Sequence, residues 1–233
     1  MMASTPESLA DSLASSIACL QPGTRLPSEH ELAATWGTTR AMVRRALAIL
    51  ERQYLIRRLQ GNGTFVHKRI DYLISSDQLP SLHATVEEQG STARTFSLGH
   101  TTTHDPEVAA ALELPADTSV HLMTRLGYID DVPSVYLEEY LDPDLDQVSV
   151  PGMHIIESLA EVALAAGWQP RRTWCRMTVD QPPYAARDRL DLRPEQQTWL
   201  VESLTIEAGS GRPLWFSRVW SRMDMVRIVC RLA

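Results

Sequence analysis

The sequence predicts an α+β protein with two domains: a winged helix-turn-helix at the N-terminus, then a larger domain built on an antiparallel sheet with helices. Three observations support this fold class. Residues 25–66 combine two helix starts, a glycine turn and a hairpin pattern. The second half of the chain repeats one helix–strand–turn–strand order. Charge is segregated, with 9 Lys and Arg against 5 Asp and Glu in residues 1–69, and 13 against 24 in residues 70–233.

Two helices are predicted before the turn. Residues 5–20 carry apolar side chains at spacings of three or four and form an amphipathic helix, which Pro22-Gly23 ends. A short helix follows over residues 28–36. Ser28 is a suitable N-cap, and Glu31 stands three residues later, which is the spacing of a capping box.

The third helix, from Thr39 to about Arg52, is the one that we expect to enter the major groove of DNA. Gly37 supplies the tight turn before it, and Thr38 or Thr39 can cap it. Its apolar positions recur at helical spacing and leave three arginines outside the stripe: Arg40, Arg44 and Arg45. Guanidinium groups suit guanine edges and phosphates. Alone, such a cluster more often covers a solvated face, but the adjoining turn and wing favour DNA contact.

The wing is predicted from two short strands around a tip. Residues 55–59 and 64–66 flank Gln60-Gly61-Asn62-Gly63, which is typical of a β-hairpin with an Asn-Gly tip. Two glycines allow close approach to a nucleic-acid backbone or minor groove, and Arg57 and Arg58 add phosphate donors.

Taken together, residues 25–66 resemble the DNA-binding domain of the GntR family of bacterial transcription regulators. The family's helix start, recognition helix and wing are matched by residues 26–29, 39–47 and 61–66. Met42 stands where the family usually has threonine, so the operator sequence cannot be transferred from relatives. The motif and the resemblance together predict these DNA-contacting residues: Arg25, Ser28, Glu29, Thr38, Thr39, Arg40, Met42, Arg44, Arg45, Arg57, Arg58, Gly61, Asn62 and Gly63.

The second half contains two similar arms. The first is a helix over 106–114, a strand over 120–128, a turn and a strand over 133–141; the second is a helix over 184–192, a strand over 199–206, a turn and a strand over 213–220. A helix over 153–166 and a strand over 171–179 lie between them. A duplicated hairpin unit predicts one antiparallel sheet with helices against it and a cleft between its halves.

This order is similar to UTRA, the effector-binding domain with the chorismate-lyase-like fold found in the HutC subfamily of GntR regulators. The resemblance covers residues 80–233 and implies a small-molecule effector between the two hairpins and the central helix. Arg125 and Glu138 match ligand-holding positions of the subfamily, although a surface ion pair between them is equally compatible with the sequence. The full set of predicted effector residues is Ser81, Arg125, Glu138, His154, Arg172, Trp174, Trp215 and Arg218.

Three of the cleft positions differ from relatives that bind phosphorylated sugars. Gly127 replaces a common arginine, His154 a serine, and Trp215 a glutamate. We therefore expect a smaller or more apolar effector, stacked on Trp215 or Trp174. Packing in a core or dimer interface is the competing explanation for most of the tryptophans.

We place the domains at residues 1–68 and 80–233, with a linker over 69–79. No stretch approaches a bilayer span and no leader precedes the first helix, so we expect a cytoplasmic protein without a membrane partner. Three widely spaced cysteines fit neither a disulfide framework nor a thiolate metal site. The threonines between His100 and His104 favour a strand, so no metal is expected there. No catalytic or cofactor motif is present, so neither an enzyme nor a cofactor is predicted.

These features predict a ligand-responsive transcription factor. We expect a repressor that binds a pseudo-palindromic site on double-stranded DNA as a homodimer, since two recognition helices about one DNA turn apart give both affinity and specificity. An effector in the cleft would reorient the wing domains through residues 67–79. Two alternatives remain at this point: a DNA-binding scaffold whose second domain only dimerises, and an enzyme for a small acid fused to a DNA-binding domain.

Overall fold

The computed structural model describes residues 5–59, 61–75, 79–141 and 158–231, and the chain divides into two compact units, residues 1–69 and 70–233. The described part of the first unit contains helices α1 (Pro6–Ile17), α2 (Glu29–Thr35) and α3 (Arg40–Arg52), followed by strands β1 (Ile56–Leu59) and β2 (Gly63–Val66). The strands pair antiparallel. The predicted three helices and hairpin are confirmed, each helix being shorter than predicted by one to three residues at its ends.

Side-chain caps set where these helices begin. The Ser28 hydroxyl accepts from the Glu31 backbone N–H and the Glu31 carboxylate accepts from the Ser28 backbone N–H, which is the predicted capping box. Thr39 caps α3 by accepting from the Met42 N–H at 3.2 Å. The buried faces of the helices then meet in one core that includes Leu9, Leu13, Val43, Leu47 and Leu50.

Glycine is required at the tip of the hairpin. Gly61 and Gly63 have φ of 77° and 119°, in the region that side chains with a Cβ rarely adopt. A Cβ on Gly63 would also lie 2.9 Å from the Arg25 Nε. Arg25 therefore packs over the base of the wing, close to Gly63.

The described strands of the second unit are β3 (Ile70–Ile74), β4 (Ala93–Thr103), β5 (Val120–Ile129), β6 (Val132–Leu141), β7 (Pro170–Asp180), β8 (Thr198–Glu207), β9 (Pro213–Arg222) and β10 (Val226–Cys230). Six of them form an antiparallel sheet with the order β4-β5-β6-β9-β8-β7. The other two, β3 and β10, form a separate parallel pair. The described helices are α4 (Leu82–Glu87), α5 (Pro106–Ala111), α6 (Leu159–Ala165) and α7 (Tyr184–Arg189).

The two halves of this unit are related by a pseudo-twofold axis. Each half runs helix, edge strand, helix and hairpin: α4-β4-α5-β5-β6, then α6-β7-α7-β8-β9. The hairpins have the same register, with Leu122 opposite Tyr140 in one and Leu200 opposite Trp220 in the other. The axis passes between β6 and β9, where the equivalent positions 138 and 218 pair. The predicted repeat is confirmed and is longer than predicted, because each arm also includes the preceding edge strand and helix.

The two faces of the sheet are covered differently. On one face, α5 packs over the ring pair Tyr140–Phe216 and α7 over Tyr136–Trp220, with centroid separations of 6.1 and 6.0 Å. On the other face, α4, α6 and the β3–β10 pair contribute to the cores around Met123 and Val135. A cavity remains under these elements.

The linker prediction is wrong for residues 70–74. Ile70 and Ile74 are buried and their strand pairs with β10, so this segment is part of the second unit. Of the predicted helix 153–166, α6 accounts for residues 159–165, and residues 153–157 lie outside the described ranges. No helix within the described residues is long and apolar enough to cross a bilayer.

Candidate functional site

The exposed face of α3 carries three arginines. Arg40, Arg44 and Arg45 are all exposed, whereas Val43, Ala46, Leu47 and Leu50 are buried, as the spacing predicts. Met42 behaves differently, because its side chain is half-buried and packs against the core of the first unit. The predicted contact of Met42 with DNA thus competes with core packing.

A bidentate ion pair joins α3 to α2 on this face. Arg44 Nε lies 3.2 Å from both Glu29 carboxylate oxygens, and Arg44 Nη2 lies 2.9 Å from Oε2. The Arg44 guanidinium, as hydrogen-bond donor, lowers the pKa of Glu29, and Glu29 raises the pKa of Arg44. Arg58, from β1, donates through Nη2 to the Arg44 carbonyl at 3.2 Å. Helix α2, the recognition helix and the wing therefore meet around Arg44.

In the second unit, the wall of the cavity contains a buried ion pair. Arg125 Nε donates to Glu139 Oε2 at 2.6 Å, and Arg125 Nη2 donates to Oε1 at 2.7 Å. The side chains are only 4% and 6% exposed. Because two charges at this depth need each other's compensation, the pair is a fixed polar feature of the cavity wall.

The other half of the cavity carries different polar groups. Ser203 and Ser217 hydroxyls are hydrogen-bonded to each other at 3.0 Å. Arg172, from the edge strand β7, donates through Nη2 to the Tyr72 hydroxyl at 3.0 Å, and its Nε is buried without a hydrogen-bond partner within the described part of the chain. Trp215 is buried and supplies an aromatic wall. The cavity can thus hold a small molecule through one guanidinium, hydroxyl groups and apolar surface.

Comparison with known families decides the classification. Residues 6–66 match the profile of the gntR family of bacterial regulatory proteins, and residues 88–227 match the UTRA domain. The chain belongs to the GntR family. It is a transcriptional regulator with a DNA-binding domain and a UTRA effector domain, and its relatives are regulators rather than enzymes, as the sequence predicts.

Individual relatives of this GntR regulator support the same architecture. The HTH-type transcriptional regulator GgaR of Escherichia coli K12 is 25% identical over 217 residues, covering 91% of this chain and 83% of GgaR. The HTH-type transcriptional repressor NagR of Bacillus subtilis is 34% identical over 116 residues, or 49% of this chain and 47% of NagR. The crystal structure of PhnF from Mycobacterium smegmatis matches with a TM-score of 0.65 at 18% identity, covering 97% of this chain and 99% of PhnF. This last match shows the fold.

The predicted pairing of Arg125 with Glu138 is wrong, and the partner is Glu139. A β-bulge between Gly127 and Tyr128 shifts the register of the β5–β6 hairpin by one residue. Counting back from the turn without this bulge places Glu138 on the face of Arg125, whereas the actual register places Glu139 there. Glu138 lies on the opposite face, where the Tyr140 hydroxyl donates to it at 2.9 Å and burial raises its pKa.

Two further predicted effector residues also lie on the face away from the cavity. Trp174 is 41% exposed and contacts the Phe216 ring. Arg218 donates to Asp105 at 2.9 Å and to Glu202 at 3.3 Å. The bulge in β7 between Arg172 and Trp174 separates these neighbours, so that Arg172 lines the cavity and Trp174 does not.

The remaining candidates divide between the cavity and its border. Arg125, Arg172 and Trp215 line the cavity. Ser81 is buried beside it as the N-cap of α4 and accepts from the Ser158 hydroxyl at 3.3 Å. His154 lies outside the described residues. Tyr72 lines the cavity as well and is absent from the predicted set, because the sequence predicts a linker where the structure has its strand.

Proposed function

We propose that this GntR regulator is a cytoplasmic repressor that binds a pseudo-palindromic operator as a homodimer, with an affinity controlled by a small molecule in the UTRA cavity. The observation that carries the proposal is the cavity itself, with a bidentate ion pair on its wall. A scaffold that only dimerises has no need for charged groups facing an enclosed space, and burying them is costly.

The operator would be contacted through α3 and the wing. Arg40, Arg44 and Arg45 are exposed on one helix and suit guanine edges and phosphates. At the wing, Gly61 and Asn62 are exposed, while Arg57 and Arg58 are half-buried and reach the surface in part. One such module covers only a half-site, so two copies of the chain on a pseudo-palindrome would provide affinity and specificity.

The cavity favours an effector with at most one negative charge. Arg125 is already neutralised by Glu139, which leaves Arg172 as the cavity arginine without a carboxylate partner among the described residues. A phosphate monoester carries close to two negative charges at neutral pH, whereas Arg172 offers one positive charge. We therefore propose a small monoanionic or neutral ligand, with hydroxyl groups near Ser203 and Ser217 and an apolar part against Trp215.

The proposed path from effector to DNA runs through β3. Tyr72 of β3 lines the cavity and accepts from Arg172, and β3 begins four residues after the last residue of the wing, Val66. A ligand that takes the Arg172 donors would change the position of Tyr72 and hence of the chain leading to the wing. In this proposal the connection to the wing is a strand whose position depends on the ligand, and not the linker that the sequence predicts.

The test is selection of operator sites from random duplex DNA by the purified full chain, followed by titration with fractionated metabolites. We expect a pseudo-palindrome, and at least one fraction that changes its affinity by about tenfold, which corresponds to about 1.4 kcal/mol of coupling. Arg172→Ala should abolish the response, because it removes the donors that the ligand would take from Tyr72. A selected site that no fraction affects would favour the scaffold, and absence of a selected site would refute the proposal.

A further inference from the structure

A carboxylate on a DNA-facing surface is unfavourable for phosphate contact and so calls for a reason. Glu29 lies at the start of α2, and the charges of Arg40, Arg44 and Arg58 all act on it. The Glu29 side chain is 25% exposed, while the Arg44 side chain is 61% exposed. The ion pair thus stands at the surface, where such pairs contribute little to stability. Another role is required to explain why the negative charge is placed here.

The atoms that Glu29 engages determine which part of Arg44 stays available. A guanidinium has one pair of donors along its side, formed by Nε and Nη2, and another pair at its end, formed by Nη1 and Nη2. Glu29 takes the side pair. The end pair remains, and its two parallel N–H groups match the O6 and N7 acceptors of guanine in the major groove.

Resting on the proposed DNA-binding function, we infer that Glu29 is a positioning residue for sequence recognition: its carboxylate fixes Arg44 in the orientation that presents the end of the guanidinium to a guanine. A long arginine side chain loses rotamer freedom when it binds, and the ion pair removes part of that cost beforehand. The same contact prevents Arg44 from turning to a phosphate with its side pair of donors. Glu29 therefore acts on specificity through Arg44 and not by touching DNA.

If Glu29 positions Arg44, neutralising Glu29 should weaken operator binding, whereas electrostatics alone predicts that it strengthens binding. Removing a negative charge near DNA strengthens phosphate attraction, so a carboxylate without a positioning role gives tighter binding when neutralised. We expect Glu29→Gln to weaken binding to the selected operator by about threefold to tenfold, the cost of ordering one long side chain. Binding to random duplex should stay equal or become tighter. Asp11→Asn is the matched control, because Asp11 is exposed on α1 and its loss makes the same change in charge.

The experiment is a fluorescence-anisotropy titration of the full chain with operator and with random duplex at several salt concentrations. A double-mutant cycle with Arg44→Ala identifies the route, since the effect of Glu29→Gln should disappear in the Arg44→Ala background. If Glu29→Gln tightens operator binding as much as Asp11→Asn, the inference is overturned. An effect that persists without Arg44 also overturns it, because Glu29 would then contact a base directly. Absence of any selected operator would instead refute the proposed function itself.

Discussion

Among the described residues, each unit has a bidentate Arg–Glu ion pair, and the two pairs differ mainly in their access to water. In the first unit, Arg44 and Glu29 are 61% and 25% exposed; in the second, Arg125 and Glu139 are 4% and 6% exposed. Water screens the first pair, so its main effect is on the direction in which Arg44 points. The second pair has lost its hydration, and either partner alone would be a buried charge. An Arg–Glu pair therefore orients the Arg44 side chain in the first unit. In the second unit the same two residue types form a part of the cavity wall in which neither residue can be removed alone without cost.

The largest expected effect is on the buried pair. Glu139→Ala should lower the free energy of unfolding by about 3–5 kcal/mol, because it leaves the Arg125 charge buried without its carboxylate. Urea denaturation of the full chain, followed by tryptophan fluorescence, measures the loss. Glu138→Ala is the matched control on the other face and should cost much less. A larger cost for Glu138→Ala would contradict the assignment of the pair.

Replacing both partners sharpens the comparison. The double substitution Arg125→Leu with Glu139→Leu should recover most of the stability lost in Glu139→Ala, since no buried charge remains. Effector response should nevertheless be absent if the pair contacts the ligand. Equal instability of the double and single variants would indicate that packing, rather than charge, accounts for the loss.

The exposed pair should show the reverse behaviour. Arg44→Ala should reduce discrimination in favour of the selected operator by about 1–3 kcal/mol through loss of one bidentate base contact. Its melting temperature should change little, because exposed ion pairs contribute at most about 1 kcal/mol. Anisotropy titrations and thermal denaturation of the same preparation give both values. A large loss of stability without loss of discrimination would reverse the roles assigned to the two pairs.

The smallest expected effect concerns pH. Arg44 lowers the pKa of Glu29, so Glu29 stays ionised in the folded protein down to below its ordinary range. A carboxyl with a lowered pKa contributes stability that is present at neutral pH and is lost as the pH falls through that lowered value. We expect the ratio of operator affinities between wild type and Glu29→Gln to stay constant from neutral pH down to about pH 5, just above the range in which an unperturbed glutamate titrates. A ratio that already falls between about pH 7 and 6 would contradict this, since Glu29 would then be taking up a proton well above that range.

Much of the first unit is predictable because its signals are local. Ser28 and Glu31 are three residues apart, and the glycines of the wing are adjacent to the strands that they join. The second unit depends on contacts that are distant in sequence. Strand β3 pairs in parallel with β10, and no hairpin or spacing along the chain indicates such a pairing. For this reason the sequence predicts a linker over residues 70–74, and Tyr72 is not among the predicted effector residues.

The error at Glu138 has a different origin. A period of two correctly indicates that side chains alternate between the faces of a sheet. One bulged residue, however, moves every later side chain of the strand to the opposite face from the one predicted. The bulge at Gly127–Tyr128 carries no clear signal in a single sequence, so the choice between Glu138 and Glu139 could not be made before the structure. The same applies to β7, where a bulge moves Trp174 away from the face of Arg172.

The pseudo-twofold axis also bears on how an effector would lie. A cradle with two identical halves would accept an unsymmetrical molecule equally well in two opposed poses. Here the halves differ, because the positions of Arg125 and Glu139 in one hairpin correspond to Ser203 and Val219 in the other. The two poses then have different binding energies, so an unsymmetrical ligand has one preferred orientation in the cavity. Arg172 and Tyr72 lie at one end of the cavity only. The group that a ligand places at that end would therefore decide whether its binding changes the affinity for DNA.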